Sequence, residues 1–270
     1  MKPLKPLLFD AHNHLQHPAL ESSIAFLEAP ESGVGAWVVN GTREADWESV
    51  AALARRFPRV IPSWGIHPWD ADTASSEWES NLRARLASVG DRCGVGEIGL
   101  DRWKTRENFG LQKHLFRRQL AIGAERNLPV TIHCLRAWGA LLEILEEEPR
   151  PDRGFLLHSY GGPPDWVGKL VGMGAYFSFS GYFLAPGKES RAETFRLVPP
   201  ERLLIETDAP SMPPPPAWTR FPLPPGPEGE RLNHPGNLAA IYEGAADRLG
   251  VPLEALTAQV ARNFDTFFRG

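Results

Sequence analysis

Leu7-Leu8-Phe9-Asp10-Ala11-His12-Asn13-His14 is the first apolar run of the chain, and it ends in a His-x-His pair. Side chains two residues apart on a strand point to the same face, so both imidazoles can reach one point, as metal ligands must. An open doubly wound sheet would normally carry a glycine-rich phosphate loop after its first strand. Because a His-Asn-His sequence holds that place, the stretch counts against the open sheet.

Seven further apolar runs follow, each with the length and composition of a strand buried on both faces. With the first, the predicted strands are residues 7–12, 35–39, 60–66, 93–98, 130–133, 155–158, 175–179 and 203–207. Segments with helical spacing lie between them, as at Phe109, Gln112, Phe116 and Leu120. Eight strand-helix units predict an α/β fold, a (β/α)8 TIM barrel in a single domain over residues 1–270, with the open doubly wound sheet as the alternative.

The overall composition is that of an ordinary globular protein. The chain has 29 basic and 33 acidic residues, and a net charge of −4 argues against a broad nucleic-acid-binding surface while leaving room for a local basic rim. We find no signal-peptide core and no apolar stretch near the roughly 20 residues of a membrane helix. A cytoplasmic location, no membrane association and no obligate protein partner are therefore expected. Cys93 and Cys134 are too few for a disulfide framework, and we expect them to pack as small apolar residues.

One low-complexity stretch, residues 213–230, follows the eighth predicted strand and contains eight prolines. Proline at this density disfavours helix and sheet interior, so we predict an extended surface loop. Asn233 and Pro235 are then predicted to be the N-cap and first-turn proline of the final helical region.

Four more ligand-type residues, Glu97, His133, His158 and Asp208, come at the ends of later runs. In α/β barrels the functional residues gather where strands end. A single histidine in such a place is more often a hydrogen-bonded structural residue, but these four residues and the two histidines of the His-x-His pair, six in all, predict a metal site.

Four histidines and two carboxylates suit zinc, manganese, magnesium, cobalt, nickel or iron(II) better than calcium, and six ligands suffice for two divalent ions. Two ions need a bridging ligand, for which Glu97 is the natural candidate. Asp10 lies two residues before His12 on the same strand face, where we expect it to accept the spare imidazole proton of a ligand. The alternative for Asp10 is a buried polar residue with a backbone partner.

Six short motifs carry these residues in order, and they resemble those of the TatD-type metal-dependent deoxyribonucleases of the amidohydrolase superfamily. The motifs are His12-Asn13-His14, Gly65-Ile66-His67-Pro68, Gly96-Glu97-Ile98-Gly99-Leu100-Asp101, Ile132-His133-Cys134, His158-Ser159-Tyr160-Gly161-Gly162 and Ile205-Glu206-Thr207-Asp208-Ala209-Pro210. The resemblance implies a (β/α)8 barrel with two metals. Its ligands would be His12, His14, Glu97 and Asp208 at one ion, and Glu97, His133 and His158 at the other.

The resemblance also separates branches of the superfamily. Phosphotriesterases and dihydroorotases bridge their metals with a modified lysine at the fourth strand, whereas Glu97 stands here and favours the TatD branch. Two features depart from the family pattern. The arginine usually found two residues after the fifth-strand histidine is replaced by Leu135, with Arg136 one place later, and the loop of residues 213–230 is longer than usual.

The activity implied is metal-assisted hydrolysis of phosphodiester bonds, with DNA, single-stranded or at 3′ ends, or a small phosphodiester as substrate. A metal-bound water can reach a pKa near 7, and Asp208 could take its proton as general base, while Glu97 would complete the catalytic pair as the metal bridge. His67 is implied to contact the substrate phosphate or a ligand. Trp69 and Arg136 are the other predicted substrate contacts.

Basic and aromatic side chains on the loops after the strands suit a short single-stranded nucleic acid, through phosphate pairing and base stacking. They are Arg43, Arg102, Lys104, Arg106, Arg136, Trp69, Trp103, Trp138, Tyr160, Tyr182 and Trp218. Solvated arginines and tryptophans that pack on the barrel are the alternative. His17, His114 and His234 are not assigned to the metal site. Two other functions stay open, a hydrolase of small-molecule amides, lactones or amines, and a degenerate barrel that only binds.

Overall fold

The computed structural model describes residues 7–29, 32–104 and 107–270. Eight strands form one sheet in chain order, and each is parallel to the next. They are β1 (Leu8–Asn13), β2 (Val34–Asn40), β3 (Val60–Trp64), β4 (Gly94–Asp101), β5 (Val130–Leu135), β6 (Phe155–Leu157), β7 (Ala175–Phe179) and β8 (Leu203–Ile205). The predicted (β/α)8 barrel is confirmed.

Helices alternate with these strands and cover the outside of the barrel. They are α1 (Trp47–Arg56), α2 (Trp78–Ala87), α3 (Phe109–Glu125), α4 (Trp138–Glu147), α5 (Val167–Gly172), α6 (Glu189–Glu193), α7 (Leu238–Leu249) and α8 (Leu253–Phe264). A 3-10 helix, Pro18–Leu27, takes the place of an α-helix between β1 and β2. In the described part of the chain, no helix is both long and apolar enough to cross a bilayer.

The core lies inside the barrel and between the barrel and its helices. Every residue of β3, β4 and β7 is buried, as expected for strands covered on both faces. From outside, α3 contributes Phe116 and Leu120, the residues whose spacing predicts this helix, and both are fully buried. Burying one such side chain stabilises the fold by about 1.5–3 kcal/mol.

The first and last strands meet at a seam, which we define as the contact between β1 and the segment that follows β8. In the described residues, no ladder pairing joins β8 to β1. Instead, Asp208 N donates to His12 O at 2.9 Å and His14 N donates to Ala209 O at 2.7 Å. The barrel is therefore closed at its carboxyl end, where the ligand-type residues lie.

The predicted strand ends differ from the observed ones at the ligand positions. Glu97 and His133 lie within β4 and β5, whereas β6 and β8 end before His158 and Asp208. The register between β4 and β5 shifts between Val95 and Ile98, and such irregularities re-aim a side chain.

Gly99 permits the close approach of these two strands. Its φ is +143°, and a Cβ there would lie 1.9 Å from the carbonyl oxygen of His133. Only glycine fits this position.

The proline-rich loop of residues 213–230 is mostly exposed, as predicted, but it also contains a short 3-10 turn at Pro216–Trp218. The predicted N-cap is wrong by one residue. His234 caps the 3-10 turn Pro235–Asn237, because its Nδ1 accepts from Gly236 N at 2.8 Å. Asn233 is instead buried, and its Nδ2 donates to Thr207 O at 2.7 Å.

Candidate metal centre

The six predicted ligands converge at the carboxyl end of the barrel. On the side of the seam, the Nε2 atoms of His12 and His14 lie 3.2 Å apart. Glu97 Oε2 is 3.4 Å from the first and 3.2 Å from the second. Asp208 Oδ1 is 3.6 and 3.4 Å from the same two nitrogens. We call these four donor atoms the seam half of the site.

The other oxygen of Glu97 belongs to a second set of donors. Glu97 Oε1 lies 2.8 Å from His158 Nε2 and 3.2 Å from His133 Nδ1. The two imidazole nitrogens are themselves 3.2 Å apart. We call this set the β5–β6 half. The carboxylate of Glu97 thus presents one oxygen to each half.

The donor chemistry fits a divalent transition metal. Zinc binds histidine nitrogen at about 2.0–2.1 Å, so neighbouring ligands of a tetrahedral ion lie about 3.3 Å apart. The donor atoms of the seam half are separated by 3.2–3.6 Å. Three groups of possible ligands are found in the described residues, and all three draw on this one cluster. The cluster is therefore suited to hold a divalent metal.

Hydrogen bonds on the far side of two imidazoles fix which nitrogen faces the cluster. His14 Nδ1 faces the carbonyl oxygen of Asn40 at 2.8 Å, and His133 Nε2 faces Asp101 Oδ2 at 3.0 Å. An acceptor at one nitrogen places the proton there and leaves the lone pair of the other nitrogen for a metal. Burial lowers the pKa of both rings, but hydrogen bonds to the carboxylates of Asp208, Glu97 and Asp101 raise it, to about 10 for His14. The nitrogen that faces the cluster would release its proton when a metal binds there.

His158 also has an acidic side chain near its far nitrogen. Its Nδ1 lies 3.5 Å from Glu206 Oε1, and Glu206 is fully buried and accepts a hydrogen bond from Ser178 Oγ. His158 Nδ1 and Glu206 Oε1 do not form a hydrogen bond with each other or with any other described residue, so the carboxylate acts on the ring through its charge.

Asp10 does not make its predicted contact with an imidazole proton. Its carboxylate accepts from Thr207 N at 2.9 Å and Thr207 Oγ1 at 2.6 Å, and more weakly from His12 N at 3.4 Å. His12 Nδ1 is buried without a hydrogen-bond partner in the described residues. Burial raises the pKa of Asp10 to about 7, although the bonds from Thr207 favour its ionised form. Asp10 therefore acts on the backbone before Asp208 rather than on a ligand ring.

His67 lies in the same cluster but has the opposite arrangement. Its Nδ1 accepts from Trp69 N at 3.1 Å, so the proton of the neutral ring is on Nε2, which is 3.4 Å from Glu97 Oε1. Burial lowers the pKa of His67, which favours this neutral form. His67 thus presents an N–H to Glu97 in this arrangement, although His67, Glu97 and His133 also form one of the three groups of possible ligands.

Asp101 was not singled out from the sequence, although it closes the Gly96–Asp101 motif. Its Oδ1 accepts from Trp103 N at 2.6 Å and Lys104 N at 3.1 Å, and its Oδ2 accepts from Trp69 Nε1 at 2.7 Å. Burial raises the pKa of this carboxyl, but the bond from His133 and those from the backbone lower it to about 2. The side chain is thus a permanent anion behind His133.

The two central carboxylates also stay ionised. Burial would raise the pKa of Glu97, but the imidazoles of His67, His158 and His12 that surround the carboxylate hold it well below its usual range. Burial likewise opposes ionisation of Asp208, but its bond with His14 and the nearby imidazoles lower the pKa. Both groups can therefore bind a cation at neutral pH.

Several predicted rim residues surround the cluster. Lys104 Nζ lies 4.2 Å from the centroid of the Trp69 ring, and the Arg102 guanidinium lies 4.1 Å from the centroid of Phe109. Arg136 is exposed, with a φ of +56°, and has no hydrogen bond or ion pair with the described residues. Its guanidinium is available to an anionic ligand.

Other predicted contacts have different surroundings. Arg43 forms an ion pair with Asp70 at 3.2 Å. Tyr160 is buried and packs edge to face against Trp138 at 4.9 Å, so it is not available for base stacking. Arg106 lies outside the described residues.

Curated relatives of the chain cover most of its length. The 3′-5′ ssDNA/RNA exonuclease TatD of Escherichia fergusonii is 31% identical over 242 residues, which is 88% of each chain. TatD of Cronobacter sakazakii is 34% identical over 242 residues, 87% of this chain and 89% of the relative. YcfH of Escherichia coli K12, named an uncharacterized metal-dependent hydrolase, is 32% identical over 77% of this chain and 74% of its own length.

The fold is shared with a solved member of the same group. The crystal structure of YJJV, a TatD homologue from Escherichia coli K12, superposes with a TM-score of 0.85 at 25% identity, and covers 97% of this chain and 98% of its own. The family described as TatD related DNase matches residues 9–269. The chain therefore belongs to the TatD-related DNase family, and it is a metal-dependent hydrolase of that type.

Proposed function

We propose that the protein hydrolyses phosphodiester bonds of DNA, with single strands or 3′ ends as substrate, and that two divalent ions bind between the two halves of its site. The observation that carries this proposal is the placement of Glu97, whose two oxygens face separate sets of donors. The names of the curated TatD relatives support a nucleic-acid substrate. The seam half would hold one ion and the β5–β6 half the other.

Bound divalent ions would supply a water of lowered pKa and positive charge for the phosphoryl oxygens. Asp208 turns Oδ1 toward His12 and His14, which leaves its other oxygen to take a proton from the attacking water. His67 presents its Nε2–H toward the same space and would donate to a phosphoryl oxygen. Lys104 and Arg136 at the rim would pair with neighbouring phosphates.

A panel of substrates tests this proposal directly. Metal-reconstituted protein should hydrolyse single-stranded DNA and a generic phosphodiester and leave a lactone and an amide intact, because the site neutralises an anionic phosphoryl group. Duplex DNA with blunt ends should react more slowly than single strands. The rates of DNA hydrolysis are obtained by measuring the released mononucleotides by chromatography. Turnover of the lactone or amide at rates above those on DNA would contradict the proposal in favour of the small-molecule alternative.

The proline-rich loop is proposed to form a wall beside the site that restricts substrate entry. It begins just beyond Asp208, and Arg231 Nη2 anchors it by donating to Pro214 O at 2.7 Å. Asn237 Oδ1 accepts from Phe221 N at 2.8 Å, which holds the loop at a second point.

Replacing residues 213–229 with a short Gly-Ser link should change the ratio of activity on a long DNA strand to activity on a small phosphodiester. The change is expected because prolines lower the entropy lost in holding one extended shape, so the loop can act as a fixed barrier. Metal content of the variant should equal that of the unmodified protein, which serves as the control. If the ratio stays the same, the loop is not part of the substrate site.

A further inference from the structure

Trp69 donates two hydrogen bonds into the site, one to a histidine and one to the carboxylate behind another histidine. Its backbone N–H donates to His67 Nδ1 at 3.1 Å, and its indole Nε1–H donates to Asp101 Oδ2 at 2.7 Å. The same oxygen of Asp101 also accepts from His133 Nε2 at 3.0 Å. The indole and the imidazole therefore share one carboxylate oxygen.

The carboxylate of Asp101 has four donors in the described residues, and each has a distinct place. Backbone N–H groups of Trp103 and Lys104 hold Oδ1. Trp69 and His133 hold Oδ2. Without the indole N–H, Oδ2 would keep only the imidazole of His133 as a partner. The carboxylate could then rotate while its Oδ1 stays bonded to the two backbone N–H groups. The orientation of His133 would then be less restricted.

The Trp69 ring also packs against both imidazoles. Its centroid lies 5.0 Å from that of His67 and 6.1 Å from that of His133, in edge-to-face contacts. The outer part of the ring is exposed, at 39% for the residue, and the Lys104 ammonium lies over it. The ring could thus serve a stacking role that needs only its aromatic face, whereas the hydrogen bond needs the N–H.

We propose that Trp69 is a positioning residue, whose indole N–H fixes the Asp101 carboxylate and through it directs His133 Nδ1 toward Glu97. By this link Trp69 sets the affinity of the β5–β6 half for its ion. The inference rests on the proposed two-ion function, because it assigns His133 to an ion. It differs from the stacking role that the sequence predicts for Trp69.

Trp69→Phe tests the link because it keeps an aromatic ring and removes the N–H. When the metal-free variant is titrated with Zn²⁺ or Mn²⁺, the affinity of one of the two binding steps should be lower by roughly 10-fold than in the unmodified protein. An effect of this size is typical when the hydrogen-bond partner of a metal ligand is lost. The other step should be unchanged. Trp103→Phe is the matched control, since Trp103 is 55% exposed and its indole has no hydrogen bond with the described residues.

A second readout does not depend on metal. In metal-free protein labelled with ¹⁵N-histidine, the Nε2–H of His133 should be protected from exchange with solvent by its bond to Asp101, and Trp69→Phe should make that exchange faster. Trp103→Phe should leave the signal as it is. An unchanged exchange rate of this proton in Trp69→Phe would overturn the proposal.

The stacking role gives a different set of results. If Trp69→Phe binds both ions within twofold of the unmodified protein, while Trp69→Leu raises KM for single-stranded DNA, the ring stacks on substrate and the positioning role is wrong. If the unmodified protein binds one ion only, the two-ion function fails. The exchange rate of the His133 Nε2–H then still decides the role of Trp69, so the two failures are distinguishable.

Discussion

Glu97→Ala should lower turnover by roughly 10³-fold or more and remove at least one of two bound ions per chain. Each half of the site draws on a different oxygen of this carboxylate, at 2.8–3.4 Å from its partner nitrogens. Loss of metal-derived charge stabilisation costs several kcal/mol in the transition state, and about 4 kcal/mol corresponds to 10³-fold. Metal content by mass spectrometry and kcat on single-stranded DNA, measured on the same samples, check this result.

Glu97→Gln separates the bridge from simple ligation. The amide has one oxygen and a donor group, so it can serve only one half of the site. We expect one ion per chain in this variant and two in the unmodified protein. Two tightly bound ions in Glu97→Ala would show that the carboxylate does not join the two halves.

Asp208→Asn should keep the fold and much of the metal while lowering kcat by at least about 10²-fold, the usual loss when a general base is removed. Asp208 has a φ of +52°, a left-handed conformation that asparagine adopts readily. Alanine would add backbone strain at this position, so asparagine is the cleaner change. The measurement is kcat at saturating metal, with the metal content determined in parallel.

The amide keeps one oxygen for the seam half, so any loss of metal should be smaller than in Glu97→Ala. Unfolding temperatures of the metal-free proteins provide the control for structural damage. Near-normal turnover of Asp208→Asn with the metal in place would rule out a proton-transfer role.

The existence of all eight strands was predictable from the sequence, because each is a short apolar run between helical or polar segments. The ends of the strands were less predictable. The eighth strand was predicted to reach Thr207, but β8 ends at Ile205, and the polar residues Glu206 and Thr207 are buried beyond it without strand pairing. The register shift that places Glu97 inside β4 has no signature in the apolar pattern. The TatD family, the barrel fold and the metal-dependent hydrolase function are confirmed, whereas the ion count and the site assignments stay predictions.

Hydrogen-bond partners that depend on the tertiary structure could not be predicted from the sequence. Asp101 lies 32 positions before His133, and nothing in either segment states that the two side chains meet. Asp10 was expected to contact an imidazole two residues away, but its strongest partner is Thr207, 197 positions along the chain. Local spacing identifies residues that share a face, while the second contact of each ring depends on how separate strands come together.

In the described residues, neighbouring strands of the barrel are joined by ladder pairing everywhere except at the seam between β1 and the segment after β8. Asp10 and Thr207 lie 197 positions apart, and their contact joins the two ends of the sheet without a ladder. An ion held by His12, His14 and Asp208 would act there as a reversible cross-link over a loop of roughly 200 residues, which restricts the unfolded chain much as a disulfide does. The temperature at which the barrel opens would then rise with the concentration of free ion. Occupancy of the seam half by its ion would therefore determine both the heat resistance of the protein and its readiness for catalysis.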